Sequence, residues 1–258
     1  IEFCAGSSGP TPTFDRLINR HRAVNGEASI TFILTDKYPN IKAWNRLRRS
    51  HASPLLELLP MPIDATDPPL VQKAGQRVFR LFNCSFHHFN DAIATQILKS
   101  TLETSDGFAI IELQDRRLGM LIMMLSNWIF VCRLIPPPSE FRDFVSPEND
   151  YNRYSPLKRA FFRLPIIRVL LGYLIWFVIL IVLQFDGFVS CLRTREFDEF
   201  VQLAQQAAGE KGTITIRKDG EDQVYDLPYW EIRAHKPILH TLPFGYLRVI
   251  SGVRKVPN

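Results

Sequence analysis

The chain reads as an α/β domain: a doubly wound, mostly parallel sheet with an antiparallel C-terminal edge and an inserted pair of apolar helices. Three observations predict it. Short β-branched and apolar runs alternate with helix-period segments over residues 1–116. Two long apolar runs, 118–135 and 169–183, interrupt the alternation. Three closely spaced, alternating segments at 213–216, 229–233 and 246–250 then close the chain, which is the habit of an antiparallel edge.

Taken in order, residues 1–12, IEFCAGSSGPTP, form an acid-tipped strand that runs into a Gly-rich turn and a helix start. Gly6 and Gly9 permit backbone conformations and a close ligand approach that a Cβ obstructs. Thr11 is the expected N-cap, with Pro12 at the first helical position. The free amides of that helix end suit a polar or anionic group. Residues 12–24 fit a helix with Phe14, Leu17 and Ile18 on its apolar side. The first residue already lies inside the first strand, so upstream elements are expected to be missing. Runs at 30–34, 55–63, 78–82 and 108–113 are the next strands, ending near Asp36, Asp64, Asn83-Cys84-Ser85 and Glu112. A helix is expected over 91–103, with Ile93, Ile97, Leu98 and Leu102 at helical spacing, and another over 194–208, capped by Thr194 and stopped at Gly209.

The apolar runs approach the roughly 20 residues that a membrane-spanning helix needs. A polar, Pro-rich connection over 136–163 separates them. Two spans return the chain to the side it left, so a membrane hairpin is one reading, with contact through 118–135 and 165–184. Arg133 and Arg168 suit an interface. A pair of buried helices forming a lid, or a dimer interface in a soluble enzyme, is the other. The domain reading is therefore 1–117 as the N-terminal part of the sheet domain, 118–185 as the insertion and 186–258 as the C-terminal part of the same domain.

Net charge is +5, yet the basic residues cluster at 46–49, 116–117 and 158–168 rather than along one stripe. The last two clusters flank the apolar segments, which suits a membrane surface and not nucleic acid. The four cysteines, Cys4, Cys84, Cys132 and Cys191, form no Cys-x-x-Cys pair. That spacing points neither to a disulfide framework nor to a metal site, so an intracellular compartment is expected.

In an open α/β sheet, ligands bind outside the carboxyl ends of the strands where the strand order switches. Glu2 with the Gly6–Gly9 turn, Asp36, Asp64 and Asn83-Cys84-Ser85 all fall at strand ends, so they are read as one constellation. A carboxylate in Asp36's position accepts both hydroxyls of a ribose. Asp64, followed by small Ala65, borders an adenine edge without crowding it. Glu2 takes hydrogen bonds through a water or from an ammonium group. A Gly-x-Gly-x-x-Gly nicotinamide site fits less well, because the glycine spacing differs and Asp36 arrives late.

Together EFCAGSSGPTP, the acid of ILTDKYPN, PIDAT, FNCSFHHFND and DGFVSCLRT resemble class I S-adenosylmethionine-dependent methyltransferases, close to a group of fungal and bacterial members. The resemblance covers nearly the whole chain. It implies a seven-stranded Rossmann-like sheet, S-adenosylmethionine as the cofactor, and cofactor contacts from Glu2, Gly6, Asp36, Asp64 and the Asn83-Cys84 turn. Cys4 and Ser8 stand where the family's turn has its first and third glycines, so Cys4, Ser8 and Gly9 join the candidate cofactor-binding residues, as does Ala65 beside Asp64.

Methyl transfer needs in-line geometry and, for some acceptors, a base. His87 and His88, after the fourth strand, are the catalytic candidates, and Glu112 is a further one. Capping and packing are the plainer account of a His-His-Phe turn. Asp106 and Asp186 precede glycines and read as turn formers. Trp128, Trp176 and the Phe-rich segments line either a core or a membrane interface; as an active-site roof they imply a small-molecule or lipid-like acceptor. The competing class is a non-catalytic binding or membrane-scaffold protein that keeps the fold. Oligomeric state is not legible in the sequence.

Overall fold

The computed structural model describes residues 1–51, 53–69, 75–125 and 165–255. Ten strands form its sheet: β1 (Glu2–Phe3), β2 (Phe32–Asp36), β3 (Leu56–Pro62), β4 (Phe79–Asn83), β5 (Gly107–Glu112), β6 (Ile216–Asp219), β7 (Asp222–Leu227), β8 (Trp230–Ala234), β9 (Ile238–Thr241) and β10 (Gly245–Arg254). Helices among the described residues include α1 (Thr11–Val24), α2 (Ile41–Ser50), α3 (Asp91–Thr104), α4 (Pro165–Arg193) and α5 (Phe197–Ala207), with a 3₁₀ turn at Phe86–His88.

The strand order is β3-β2-β1-β4-β5-β10-β8-β7-β6, with β9 paired to β10. β1 to β5 pair in parallel. β10 joins β5 antiparallel, and β8, β7 and β6 continue antiparallel to the edge. The chain winds outward from β1 to β3, then returns to place β4 on the other side of β1. The carboxyl ends of β1 and β4 therefore flank the switch point, where an open α/β sheet leaves a crevice. This is the doubly wound class the sequence predicts, with the antiparallel C-terminal edge.

Ten strands stand where the family resemblance implies seven. The C-terminal segment folds as five strands, not three. β6 begins at Ile216, where a strand over 213–216 is expected, and β7 and β9 are additional. The turn between β6 and β7 rests on Gly220 at φ +63°, and the flanking strands are rich in charge, which conceals their alternation. Helix α2 is likewise absent from the sequence reading. It has ten residues, begins on an Asn40 cap that accepts from the Ala43 amide, and buries a single residue, Trp44, too little to show a period.

Helix starts differ from expectation at two points. Thr11 lies inside α1, whose N-cap is Pro10 with no side-chain bond. The Thr11 hydroxyl is fully buried beside Asn83 instead. α5 begins at Phe197 on Glu196, which forms a reciprocal capping box with Glu199, so Thr194 precedes the helix. Nor does α1 bury its apolar side. Leu17 is 56% and Ile18 38% exposed, while Thr11 and Asp15 are the buried residues. His51 bonds the Asp15 carboxylate at 2.9 Å and Asn19 donates to it at 2.8 Å, so burial here follows polar pairing. Asp106, read as a turn former, lies in the bend before β5 and accepts from the distant Val78 amide at 2.8 Å. Asp186-Gly187, read as a turn, lies within α4.

The abundance of Phe has a structural counterpart. Phe3 stacks on Phe82 at 5.5 Å, Phe82 meets Phe86 at 5.8 Å, and Phe86 meets Phe200 at 5.8 Å. Phe108 and Trp230 extend the row at 5.8 Å, and α3 and α5 cover it with Ile97, Leu98 and Val201. Each buried ring contributes about 1.5–3 kcal/mol. A smaller cluster of Ala5, Leu34, Trp44 and Leu58 forms beneath α2.

The chain divides into two compact units, residues 1–115 with 193–258, and residues 116–192. In the second, residues 118–125 are helical, and Met120, Met124 and Cys191 pack together. Expectations for Trp128, Cys132, Arg133 and the 136–163 connection lie outside the described residues, as does the side chain of Arg168.

Candidate functional site

The turn after β1 is conformationally unusual. Cys4 (φ 57°), Gly6 (φ 51°), Ser8 (φ 105°) and Gly9 (φ 47°) all occupy the left-handed half of backbone space. Glycine adopts it freely, whereas each non-glycine residue there costs on the order of 1 kcal/mol or more. The two positions where the sequence departs from the expected glycines are thus positions whose backbone favours glycine. Their strain is sustained by tertiary bonds. The Ala5 amide donates to the Thr35 carbonyl at 3.0 Å, and the Thr35 hydroxyl donates to the Glu2 carbonyl at 2.8 Å. The Gly6 amide donates to the Asp36 carboxylate at 2.8 Å. From α2, the Trp44 indole donates to the Gly6 carbonyl at 2.9 Å, and the Asn40 amide to Ser7 Oγ at 3.0 Å. α2 is therefore part of the site, although its only sequence signal is a lone Asn-cap motif. A Cβ on Gly6 meets nothing within 4 Å, so this edge of the turn is open.

Glu2 is 3% exposed. Asn83 Nδ2 donates to its Oε1 at 2.7 Å across the switch point, and the same nitrogen lies 3.4 Å from Thr11 Oγ1. Burial pushes the Glu2 carboxyl up from the ordinary carboxylate range, and the bonds from Thr11 and Asn83 only partly offset it. Three buried polar atoms here have no partner among the described residues: Glu2 Oε2, Asn83 Oδ1 and Ser85 Oγ. Such atoms are costly unless a ligand or water completes them. The sequence reading includes Glu2 and Asn83 but not Thr11, whose chemistry was assigned to capping, nor Ser85 individually.

Asp36 accepts from Gly6 through one oxygen and from the Tyr38 amide, at 2.7 Å, through the other. Each oxygen keeps a lone pair for a further donor. Asp64 is more fully engaged. Its Oδ1 accepts from the Thr66 amide at 3.0 Å and the Thr66 hydroxyl at 2.8 Å, and its Oδ2 from Lys37 Nζ at 2.8 Å. The Lys37 bond first, then those from Thr66, hold its carboxyl down at about 2. Ala65 is buried against Ile63 in the main core. Burial, followed by the charges of Asp36, Asp64 and Glu2, pushes the Cys4 thiol up to about 12. Cys4 is thus a neutral thiol amid three carboxylates, not a nucleophile.

Beyond β4, Cys84 takes a left-handed conformation (φ 47°), and its amide donates to the Ile111 carbonyl at 2.8 Å. Burial and then the Glu112 charge raise its thiol as well. The following 3₁₀ turn buries His87. The His87 amide donates to Glu112 Oε1 at 3.1 Å, and His87 Nδ1 lies 2.8 Å from Glu112 Oε2. A proton on Nδ1 directed at this carboxylate leaves Nε2 as the accepting nitrogen. The His88 ring rests on His87 with centroids 4.2 Å apart. The structure thus pairs two of the candidate bases, His87 and Glu112, as one couple.

No protein-family model matches the chain, and no curated protein does. Solved structures similar to it include LepI in complex with SAM, at 12% identity and a TM-score of 0.45, covering 98% of this chain and 42% of that one. The pyocyanin biosynthetic protein PhzM is 14% identical with a TM-score of 0.42, over 98% of this chain and 49% of its own. Magnesium protoporphyrin IX methyltransferase (ChlM) from Synechocystis PCC 6803 with bound SAH is 8% identical with a TM-score of 0.40, over 98% and 73%. The chain spans less than half the length of the LepI and PhzM chains. At these values the likeness says nothing of this chain's chemistry.

Proposed function

We propose that the chain binds S-adenosylmethionine in the crevice between β1 and β4 and transfers its methyl group to a small-molecule or lipid-like acceptor. One observation carries the reading. Buried acceptors without partners, Glu2 Oε2 and Asn83 Oδ1, stand at the switch point beside the open Gly6 turn and the Asp36 carboxylate. A ligand that fits them is cationic at one end and offers vicinal hydroxyls at the other. In this assignment Glu2 and Asn83 hold the ammonium of the methionine portion. Asp36 accepts the ribose hydroxyls through its remaining lone pairs. Asp64 and Lys37 border the base, with Ala65 behind them. Cys4, Ser8, Gly9 and Cys84 shape the walls by left-handed backbone, not by side-chain chemistry. The cofactor, when bound, supplies an electrophilic methyl on a sulfonium. His87 Nε2 then accepts a proton from an oxygen or nitrogen acceptor, with Glu112 holding the ring. Calorimetry with S-adenosylmethionine and S-adenosylhomocysteine on the full chain tests this. Micromolar binding that weakens at least tenfold in Asp36→Ala supports it. Absence of binding, with Asp36→Ala behaving like the parent, favours the non-catalytic scaffold instead.

We further propose that α4 contacts a lipid bilayer. Residues Leu170–Arg193 have mean hydropathy 2.2 over their most apolar window, of which 17% is buried. Leu174, Phe177, Ile181, Val182 and Phe185 are each more than half exposed. At 1.5 Å per residue a helix of this length extends about 36 Å, enough for a hydrocarbon core of about 30 Å. Flotation with anionic and neutral liposomes tests it, with aspartate at Leu174 and Ile181 as the disruptive pair; equal flotation of parent and variant overturns it.

A further inference from the structure

Arg193 is the last residue of α4, and Arg195 follows it. Arg193 donates to the His88 carbonyl at 2.8 Å. Arg195 donates to the Phe89 carbonyl at 2.7 Å and the Phe86 carbonyl at 3.4 Å, and to Asp91 Oδ1 at 2.8 and 3.1 Å. Its guanidinium carbon sits 5.6 Å from the centre of the Phe86 ring. The main-chain acceptors belong to one 3₁₀ turn and the residue that ends it. Asp91 is 79% exposed on its side chain while Arg195 is 10% exposed, so the carbonyls and the ring, and not the solvent-screened ion pair, decide where this guanidinium lies. The same turn carries His87, whose amide and ring both meet Glu112 on β5. One side of the turn is thus fastened to the sheet by Glu112 and the other to the segment leaving α4 by two arginines.

We propose that Arg195, assisted by Arg193, is a positioning residue that holds the Phe86–Phe89 turn so that His87 Nδ1 stays on Glu112 and Nε2 stays free to accept a proton. The role given to His87 rests on the proposed methyl transfer; the geometric claim does not. An arginine is required because its planar fork serves three acceptors and stacks on Phe86, whereas a lysine offers a compact point charge.

The test uses the full chain labelled with ¹⁵N-histidine, with His87→Gln to assign the ring signals. Side-chain ¹⁵N spectra are compared for the parent, Arg195→Lys and Arg195→Ala, alongside calorimetry with S-adenosylhomocysteine. The parent is expected to show His87 as one fixed Nδ1–H tautomer. Both variants are expected to show averaged His87 tautomers, with Arg195→Lys still cooperatively folded. Identical His87 spectra in parent and variants overturn the proposal. If Arg195→Ala does not fold, Arg195→Lys decides alone. Absent S-adenosylhomocysteine binding in the parent counts against the methyl-transfer reading and leaves the spectral comparison valid.

Discussion

Asn83, at the end of β4, donates its side-chain amide to Glu2, at the end of β1, across 2.7 Å, and so bridges the two strands between which the strand order reverses. Glu2 is also raised in proton affinity by its burial, and one of its oxygens lacks a partner. Removing Asn83's amide leaves the carboxyl with still less. Asn83→Ala is expected to cost about 1–3 kcal/mol, read as a lower thermal midpoint. Glu2→Gln, which needs no charge compensation, is expected to be close to neutral for stability while weakening binding of a cationic ligand.

The sign of the Glu2 shift sets a pH dependence. Its folded-state proton affinity lies above that of the unfolded chain, so its contribution is fully present below the ordinary value of 4.5 and is lost as pH rises through the folded value. Relative to Glu2→Gln, the parent is expected to lose stability over that interval. A bound cation favours the carboxylate and reverses the shift, so binding of S-adenosylmethionine should release protons there. Calorimetry in two buffers of different ionisation enthalpy measures the release, and no buffer dependence contradicts it.

Cys4 and Ser8 hold left-handed backbone at φ 57° and 105°. Cys4→Gly and Ser8→Gly are each expected to raise stability by about 0.5–1 kcal/mol, the relief of strain exceeding glycine's entropic cost. Thermal denaturation of the two single variants and the double variant checks this. A drop in midpoint for both singles shows that the side chains' contacts outweigh the backbone.

Gly252 on β10 pairs directly with Phe108 on β5, and a Cβ there lies 2.1 Å from Phe108 Cε1. Phe108 is fully buried between Phe200 and Trp230, so its ring has nowhere to retreat. Gly252→Ala is expected to destabilise by about 1–3 kcal/mol, seen as a lower denaturant midpoint. Adding Phe108→Leu is expected to restore part of the loss, a coupling that a double-mutant cycle resolves.

Much of the parallel half was legible because its strands are short apolar runs, most fully buried in β4 and β5. β2, β3, β4 and β5 each lie within two residues of their expected positions. The strand ends then placed Glu2, Asp36, Asp64 and Asn83 without any knowledge of contacts. The antiparallel edge was harder to read. β6 and β7 carry Arg217, Asp219, Asp222 and Asp226 in surface ion pairs, and such pairs erase the period of two. α2 escaped notice for a related reason: one buried tryptophan makes no stripe.

By itself the sequence determined the class of the sheet, the acids at its strand ends and the apolar length of α4. Each depends on local composition and on hydropathy periods of two or 3.6. Tertiary structure alone decided how those groups are used. It made Thr11 a buried neighbour of the Glu2–Asn83 bond instead of a cap, and gave Asp64 to Lys37 and Thr66. It also joined His87 to Glu112, 25 residues away, and fastened their turn with Arg195, more than 100 residues on. A hydrogen bond between distant residues leaves no periodic trace in the chain, because only the folded distance between donor and acceptor determines whether it forms.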